Sequence, residues 1–149
     1  MIEQPKKFDD NLKFYNAALG DEIKLPYAVE SVSAGFPCHA DGYIECEFDI
    51  NQHLIKNHSS TFLVQVNGDS MINAGIQTGD MLVVDKSMEV KNNDIVIACV
   101  AGEFTVKRLF SKNNKVCLFP ENPLFKPLLI TEEMDFQVWG KVTNIIRSI

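Results

Sequence analysis

From about Tyr43 onward, the chain alternates between short apolar runs and turn residues. These runs are rich in β-branched and aromatic side chains, a composition typical of strands. The predicted strands are Thr61–Val66, Met81–Asp85, Asp94–Val100, Glu103–Leu109, Val116–Phe119 and Phe136–Ile146. Many short strands at this spacing predict a mostly β domain, built of coiled antiparallel sheets or a partial barrel.

Residues 1 to about 34 have a different pattern, with sparse and weakly periodic apolar positions. Phe8, Leu12 and Tyr15 could line one face of a short helix, which Gly20 and Pro26 would end. The segment carries four lysines and six acidic residues, a net charge of −2. We expect an extended N-terminal arm with little structure of its own, docked on the domain or on a partner.

Two segments between the predicted strands have their own signals. Asn51–Asn57 predicts one short helical turn, and the prolines at 120, 123 and 127 bracket an irregular crossing. With 149 residues, of which 46% are hydrophobic, the chain fits one domain with a tail.

Charge and cysteine use limit the classes of function. The formal net charge of −6 argues against a broad basic surface for nucleic acid. No apolar run approaches the roughly 20 residues that span a bilayer, and the polar start does not read as a secretory signal. The four cysteines form no C-x-x-C pair or zinc spacing, so we expect reduced thiols in a cytoplasmic protein without metal or cofactor. Cys99 and Cys117, in apolar runs, are expected in the core.

Ser70 and Lys107 are the candidate catalytic residues. Ser70 follows a Gly68–Asp69 turn at a strand end, where it could be a nucleophile or a turn residue that satisfies nearby N–H groups. Lys107 shares one strand face with Thr105 and could be a solvated surface lysine. A buried lysine has a lowered pKa, and its neutral amine could take a serine proton.

The three histidines offer no better catalytic base. His39, His53 and His58 lie in polar, loop-like sequence and form no H-E-x-x-H pattern. Neither a zinc site nor a Ser–His–Asp triad is therefore favoured.

Five ordered sequence blocks resemble the LexA/UmuD self-cleaving peptidases, the S24 family. The blocks are Gly68–Met71 with Gly75–Asp85, Asp94–Ala98, Gly102–Leu109, Leu118–Pro123 with Pro127, and Val138–Val142. They extend over about 110 residues, which makes the match more specific than any single motif.

The resemblance implies a role for each part of the site. The family nucleophile falls on Ser70 and its general base on Lys107, with backbone N–H groups near Asp69 and Ser70 placed to stabilise an oxyanion. Family members cut their own chain between a small residue and glycine, which here is Ala34–Gly35. The alternative is that this segment is only a flexible linker, and both readings can hold together.

The length of the arm distinguishes branches of the family. LexA-type repressors carry a helix-turn-helix domain before the cleavage site, on the order of 60 residues or more. Only 34 residues precede Gly35, so the chain resembles the UmuD branch. Self-cleavage would divide it into an arm, 1–34, and a peptidase domain, 35–149.

The resemblance further implies function and partners. UmuD-like proteins are accessory subunits in SOS mutagenesis, and a RecA filament on single-stranded DNA stimulates their self-cleavage. The product would form a homodimer and join a UmuC-like, Y-family polymerase subunit in translesion synthesis. Direct nucleic-acid binding and membrane association are not expected.

Three alternatives remain open from the sequence. A signal-peptidase-like enzyme shares the Ser–Lys chemistry but needs a membrane anchor. A headless regulator related to LexA or phage repressors would sequester an SOS component. A non-enzymatic polymerase-binding module would retain only a vestigial dyad.

Overall fold

A computed structural model describes residues 7–8, 12–17, 20, 24–28, 34–35 and 45–149. The chain forms two compact units, one of residues 1–18 with 57–149 and the other of residues 19–56. Each unit is described by itself.

Strands dominate both units. The first contains β1 (Lys7–Phe8), β2 (Leu12–Asn16), β5 (Thr61–Val66), β6 (Met81–Asp85), β7 (Ile95–Val100), β8 (Glu103–Lys112), β9 (Lys115–Phe119), β10 (Leu128–Ile130) and β11 (Phe136–Ile146). The second contains β3 (Lys24–Ala28), β4 (Glu45–Asp49) and the helix α1 (Ile50–Leu54). Short 3-10 turns cover His58–Ser60 and Ile72–Ala74.

The large unit is built on one antiparallel sheet in the order β1-β2-β5-β6-β11-β7-β8-β9-β10. The sheet does not close into a barrel. The predicted mostly β architecture is confirmed, and the predicted strands from Thr61 onward all form. Strands β5, β6 and β11 have the predicted ends.

Strand β11 joins the two halves of the sheet by pairing with β7 and then with β6. Its register shifts between Val138 and Gly140 and again between Val142 and Asn144, and such bulges bend a strand. A Cβ at Gly140 would lie 2.7 Å from Val84 Cγ1. Glycine therefore permits the close approach of β6 and β11.

Buried apolar side chains form two clusters, and strand β7 contributes to both. Ile97 belongs to the larger cluster, together with residues of β2, β5, β6 and β8. Val96 and Ala98 belong to the smaller one, with Leu109 and Leu118. Because successive strand residues face opposite sides, β7 is buried on both faces, which explains its nearly continuous apolar run.

One local prediction was wrong. Leu12 lies in strand β2, not in a short helix, because β2 pairs with β5 and lends its apolar residues to the larger cluster. The segment 120–127 is irregular, as predicted, and Leu128–Ile130 after it forms β10, a strand that was not predicted, on the outer edge of β9. Cys99 and Cys117 are half-buried, and Cys99 packs against the larger cluster, in line with its expected place in the core.

The small unit contains the antiparallel pair β3–β4, followed directly by α1. Asp49 caps α1, since its side chain accepts hydrogen bonds from the N–H groups of Asn51 and Gln52. The predicted helical turn near 51–57 is thus confirmed, shifted slightly towards the N-terminus. Ala34 and Gly35 are exposed and lie in a bend.

Candidate active site

Ser70 lies in a tight turn between β5 and the 3-10 turn at Ile72–Ala74. Gly68 begins this turn with a φ of 129°, which favours glycine over residues that carry a side chain. The Thr78 hydroxyl fixes the turn from one side, accepting from the Gly68 N–H at 2.9 Å and donating to the Gly68 carbonyl at 3.1 Å.

The next two carbonyls of the turn are held by the loop that follows β9. Asn122 Nδ2 donates to the Asp69 carbonyl at 2.9 Å, and the Glu121 N–H donates to the Ser70 carbonyl at 2.8 Å. In a trans peptide, the C=O and the following N–H point in opposite directions. The Ser70 N–H therefore points away from Asn122.

Within the described part of the chain, neither the Asp69 N–H nor the Ser70 N–H donates a hydrogen bond to another residue. Free N–H groups with fixed peptide planes beside a serine are the donors that an oxyanion hole requires. The predicted roles of Asp69 and Ser70 as backbone donors stay a prediction, and this geometry supports it.

Lys107 reaches the turn from the middle of β8. Its Nζ lies 3.1 Å from Ser70 Oγ, 2.7 Å from Thr105 Oγ1 and 3.0 Å from the Val106 carbonyl oxygen. Thr105 and Lys107 share one strand face, as their spacing predicted. The structure thus brings together the two residues that the sequence singled out.

Burial lowers the pKa of Lys107 below the ordinary lysine value of 10.5. Among the described residues Lys107 forms no ion pair that would oppose this shift. A neutral amine has two N–H donors and one lone pair. With Thr105 and Val106 accepting both N–H groups, the lone pair is left for the Ser70 hydroxyl proton.

An open cleft of about 330 Å³ contains both residues. Its apolar lining includes Leu12, Met71, Ile76, Phe104, Val106 and Phe125. Such walls suit an extended peptide with small or apolar side chains, and they account for the desolvation of Lys107.

Glu121 contacts both the turn that carries Ser70 and the strand that carries Lys107. Besides its backbone contact with Ser70, Glu121 forms an ion pair with Arg108, the neighbour of Lys107 in β8. Asn122 is almost fully buried, and its Oδ1 accepts from the Leu124 N–H at 3.0 Å. Both residues lie in a sequence block that resembles the family, but no role was predicted for them. Thr105 was predicted only to share a strand face with Lys107. The contacts of Asn122 with Asp69 and of Glu121 with Ser70 cross long chain separations, so no local signal could have found them.

The remaining predicted residues lie elsewhere or outside the described part. Ala34 and Gly35 belong to the small unit, and their identity as the cleavage site stays a prediction. His53 is exposed and His58 half-buried, while His39 falls outside the described residues. In the described ranges no cluster of His, Cys, Asp or Glu could hold a metal ion, and no helix is long and apolar enough to cross a membrane.

The sequence profile of the family described as Peptidase S24-like matches residues 26–143. Protein SamA of Salmonella typhimurium is 45% identical over 123 residues, 83% of this chain and 85% of SamA. Protein MucA of Salmonella typhimurium is 37% identical over 121 residues, 80% of this chain and 82% of MucA. The LexA repressor of Clostridium perfringens is 37% identical over 126 residues, 85% of this chain but 60% of the repressor.

The profile covers most of the chain, including the Ser70 turn and strand β8. The identity to SamA and MucA extends over most of each of those proteins. The chain therefore belongs to the S24 peptidase family, as a UmuD-like member.

Proposed function

We propose that this protein is a self-cleaving serine peptidase that cuts its own Ala34–Gly35 bond and thereby becomes an active accessory subunit in SOS mutagenesis. The observation that carries the proposal is the 3.1 Å separation of Lys107 Nζ and Ser70 Oγ in an apolar-walled cleft. This is a hydrogen-bonding distance between a nucleophile and its base.

The chemistry follows from the two side chains. Neutral Lys107 takes the Ser70 hydroxyl proton while Oγ bonds to the Ala34 carbonyl carbon, and the Ser70 N–H stabilises the resulting oxyanion. Lys107 then gives its proton to the Gly35 nitrogen as the peptide bond breaks. Water hydrolyses the ester, which frees the Ala34 carboxylate and restores Ser70.

The biological role is inferred from the family. The matches to MucA and SamA cover 82% and 85% of those proteins, whereas the LexA match covers 60% of the repressor. The higher identity to SamA, 45% against 37% for the LexA repressor, favours a UmuD-like accessory role over that of a repressor. In that role a RecA filament promotes cleavage, and the product forms a homodimer that joins a Y-family polymerase subunit in the cytoplasm.

The test is self-cleavage of the purified chain. At alkaline pH, mass spectrometry should detect the fragment 35–149, and Ser70→Ala or Lys107→Ala should each slow its formation by on the order of 10⁴-fold or more. Lys115→Ala, at an exposed strand lysine, is the matched control and should cleave at the wild-type rate.

Three outcomes would contradict parts of the proposal. Formation of the same fragment by Ser70→Ala would exclude the nucleophile. A new C-terminus at a residue other than Ala34 would keep the dyad but replace the cleavage site. A wild-type chain that stays intact at every pH, with and without RecA filaments, would favour the non-enzymatic module.

A further inference from the structure

The outer edge of β5 is covered by a segment that the proposed cleavage would detach. Strand β2 pairs with β5 in antiparallel register, from Leu12 opposite Val66 to Asn16 opposite Phe62. Without β2, the hydrogen-bonding groups along this side of β5 would have no strand partner. An open edge of this kind accepts an added strand from another chain.

Two side chains of β2 anchor it to the sheet. Leu12 is 4% exposed, and the Phe14 ring centroid lies 4.8 Å from that of Phe104 and 5.7 Å from that of Phe62. Between them, the Lys13 side chain is exposed. Anchors two residues apart along an extended backbone are the recognition pattern of strand addition.

The surface beneath Phe14 is an aromatic platform formed by Phe62, Phe104 and Trp139. Phe104 and Trp139 are packed edge to face, with centroids 4.7 Å apart. Lys86 Nζ lies 4.2 Å from the Trp139 ring centroid and 5.7 Å from that of Phe62. The platform thus combines apolar ring surfaces with the positive charge of Lys86, which lies near Phe62, the residue opposite Asn16.

Strand β2 stays paired with β5 only while it is covalently attached to the domain. The strand contributes five residues, whereas stable protein interfaces use roughly 20–30 residues a side. In the intact chain, tethering gives β2 an effective concentration on the order of millimolar. Once the chain is cut between β2 and the domain, this advantage disappears and the strand can leave.

We propose that the β5 edge is a docking site for an extended segment of a partner protein, masked by β2 until self-cleavage. The segment that fits has an aliphatic residue, an aromatic residue two positions later and an acidic residue two positions after that. The first two replace Leu12 and Phe14, and the third lies near Lys86. The masking step rests on the proposed function, whereas the docking site does not.

Trp139 is the only tryptophan of the chain and reports directly on this platform. Its emission should shift by several nanometres to longer wavelength when the wild-type chain cleaves itself and β2 leaves. A synthetic peptide of residues 8–18 should reverse the shift, whereas the same peptide with Phe14→Asp should not. The peptide should have no effect on uncut Ser70→Ala protein, in which the edge is occupied.

A second variant separates this proposal from the proposed function. In the uncut Ser70→Ala chain, Phe14→Asp should release β2 without cleavage, speed hydrogen exchange of the β5 amides at least tenfold and open the edge to the wild-type peptide. If self-cleavage fails but this variant binds peptide, only the proposed function is lost. If the edge binds no peptide in either form, the docking site is excluded. If the shift reverses with rising protein concentration alone, a second copy of the chain is the occupant and the proposed partner is wrong.

Discussion

Asn122 Nδ2 donates a hydrogen bond to the Asp69 carbonyl at 2.9 Å, across 53 residues of sequence. This contact fixes the peptide plane that carries the Ser70 N–H, the proposed oxyanion donor. The side chain that sets this plane thus lies on a different loop from the serine.

Asn122→Ala should lower the maximal rate of self-cleavage on the order of 100-fold, because a misplaced oxyanion donor costs about that much. The midpoint of the pH–rate profile should stay in place, since Lys107 keeps its contacts. Rates are measured at a temperature at which circular dichroism shows full folding. Asn144→Ala, at a half-buried position in β11, is the control and should cleave normally. An unchanged rate in Asn122→Ala would show that the Thr78 and Glu121 contacts hold the turn without Asn122.

Self-cleavage should speed up as the pH rises, because only neutral Lys107 can accept a proton. Burial holds its pKa below 10.5, so the rate should rise through the lowered folded-state pKa and level off above it. The measurement is the first-order cleavage rate of the pure protein across pH. A rate that falls as the pH rises would exclude Lys107 as the base.

The same pKa shift has a consequence for stability. Between the folded-state pKa and the unfolded value, the unfolded chain binds more protons, so stability rises with pH in that window. Below this pH window, Lys107 is charged in the folded state although it is partly removed from water. Lys107→Met should therefore abolish cleavage while matching or exceeding the wild-type free energy of unfolding at pH 7, measured by urea titration.

Thr105→Val tests the orientation of the amine. Removal of the hydroxyl takes away the acceptor 2.7 Å from Lys107 Nζ while the β-branched shape remains. The plateau rate should fall about tenfold, and the apparent pKa of Lys107 should fall further because its charged form loses a hydrogen bond. Thr143→Val is the control, since its hydroxyl bonds to the Val83 carbonyl away from the cleft. If Thr105→Val keeps the wild-type plateau rate and the wild-type midpoint of the pH–rate profile, the Val106 carbonyl alone orients the amine of Lys107.

Arg147 should stabilise the turn after the Ser70 segment through Asp80. Its Nε and Nη2 lie 2.6 and 2.5 Å from the two carboxylate oxygens of Asp80, which is 1% exposed. The hydrogen bonds from Arg147 outweigh the opposing effect of burial and lower the pKa of Asp80 below 3.8. The stability gained is therefore present above that value and is lost as the pH falls through the folded-state pKa.

Arg147→Met should lower the free energy of unfolding at pH 7, measured by urea titration, because Asp80 loses its charged partner. The loss of stability should be smaller than for a fully buried ion pair, because the Arg147 side chain is 42% exposed and water screens its charge. The difference from the wild type should shrink below pH 4 as Asp80 becomes protonated. A deficit that stays constant down to pH 2 would show that packing rather than charge is lost.

Much of the sheet could be predicted because its strands carry strong local patterns. The strands at 61–66, 81–85 and 136–146 were predicted with the ends that the structure has. Strand β2 was not predictable in this way. Its five residues are too few to distinguish the two-residue period of a strand from the 3.6-residue period of a helix. Its conformation depends on pairing with β5, about 50 residues away.

The candidate site was predictable in its identities but not in its geometry. Ser70 and Lys107 stood out through the sequence blocks, yet their separation depends on the order β5-β6-β11-β7-β8 within the sheet. The contacts of Asn122 and Glu121 depend on a loop that crosses back to the turn. Such long-range packing leaves no signal in a local run of residues.

Leu12 lines the cleft that contains Ser70, although it belongs to the segment that the proposed cut releases. Each self-cleavage would therefore remove a residue that lines the cleft in which the reaction took place. We expect a stoichiometric reaction, one cut for each chain, after which fragment 35–149 has little capacity to hydrolyse other proteins. Such a peptidase limits its own activity by the architecture of its cleft and needs no separate inhibitor.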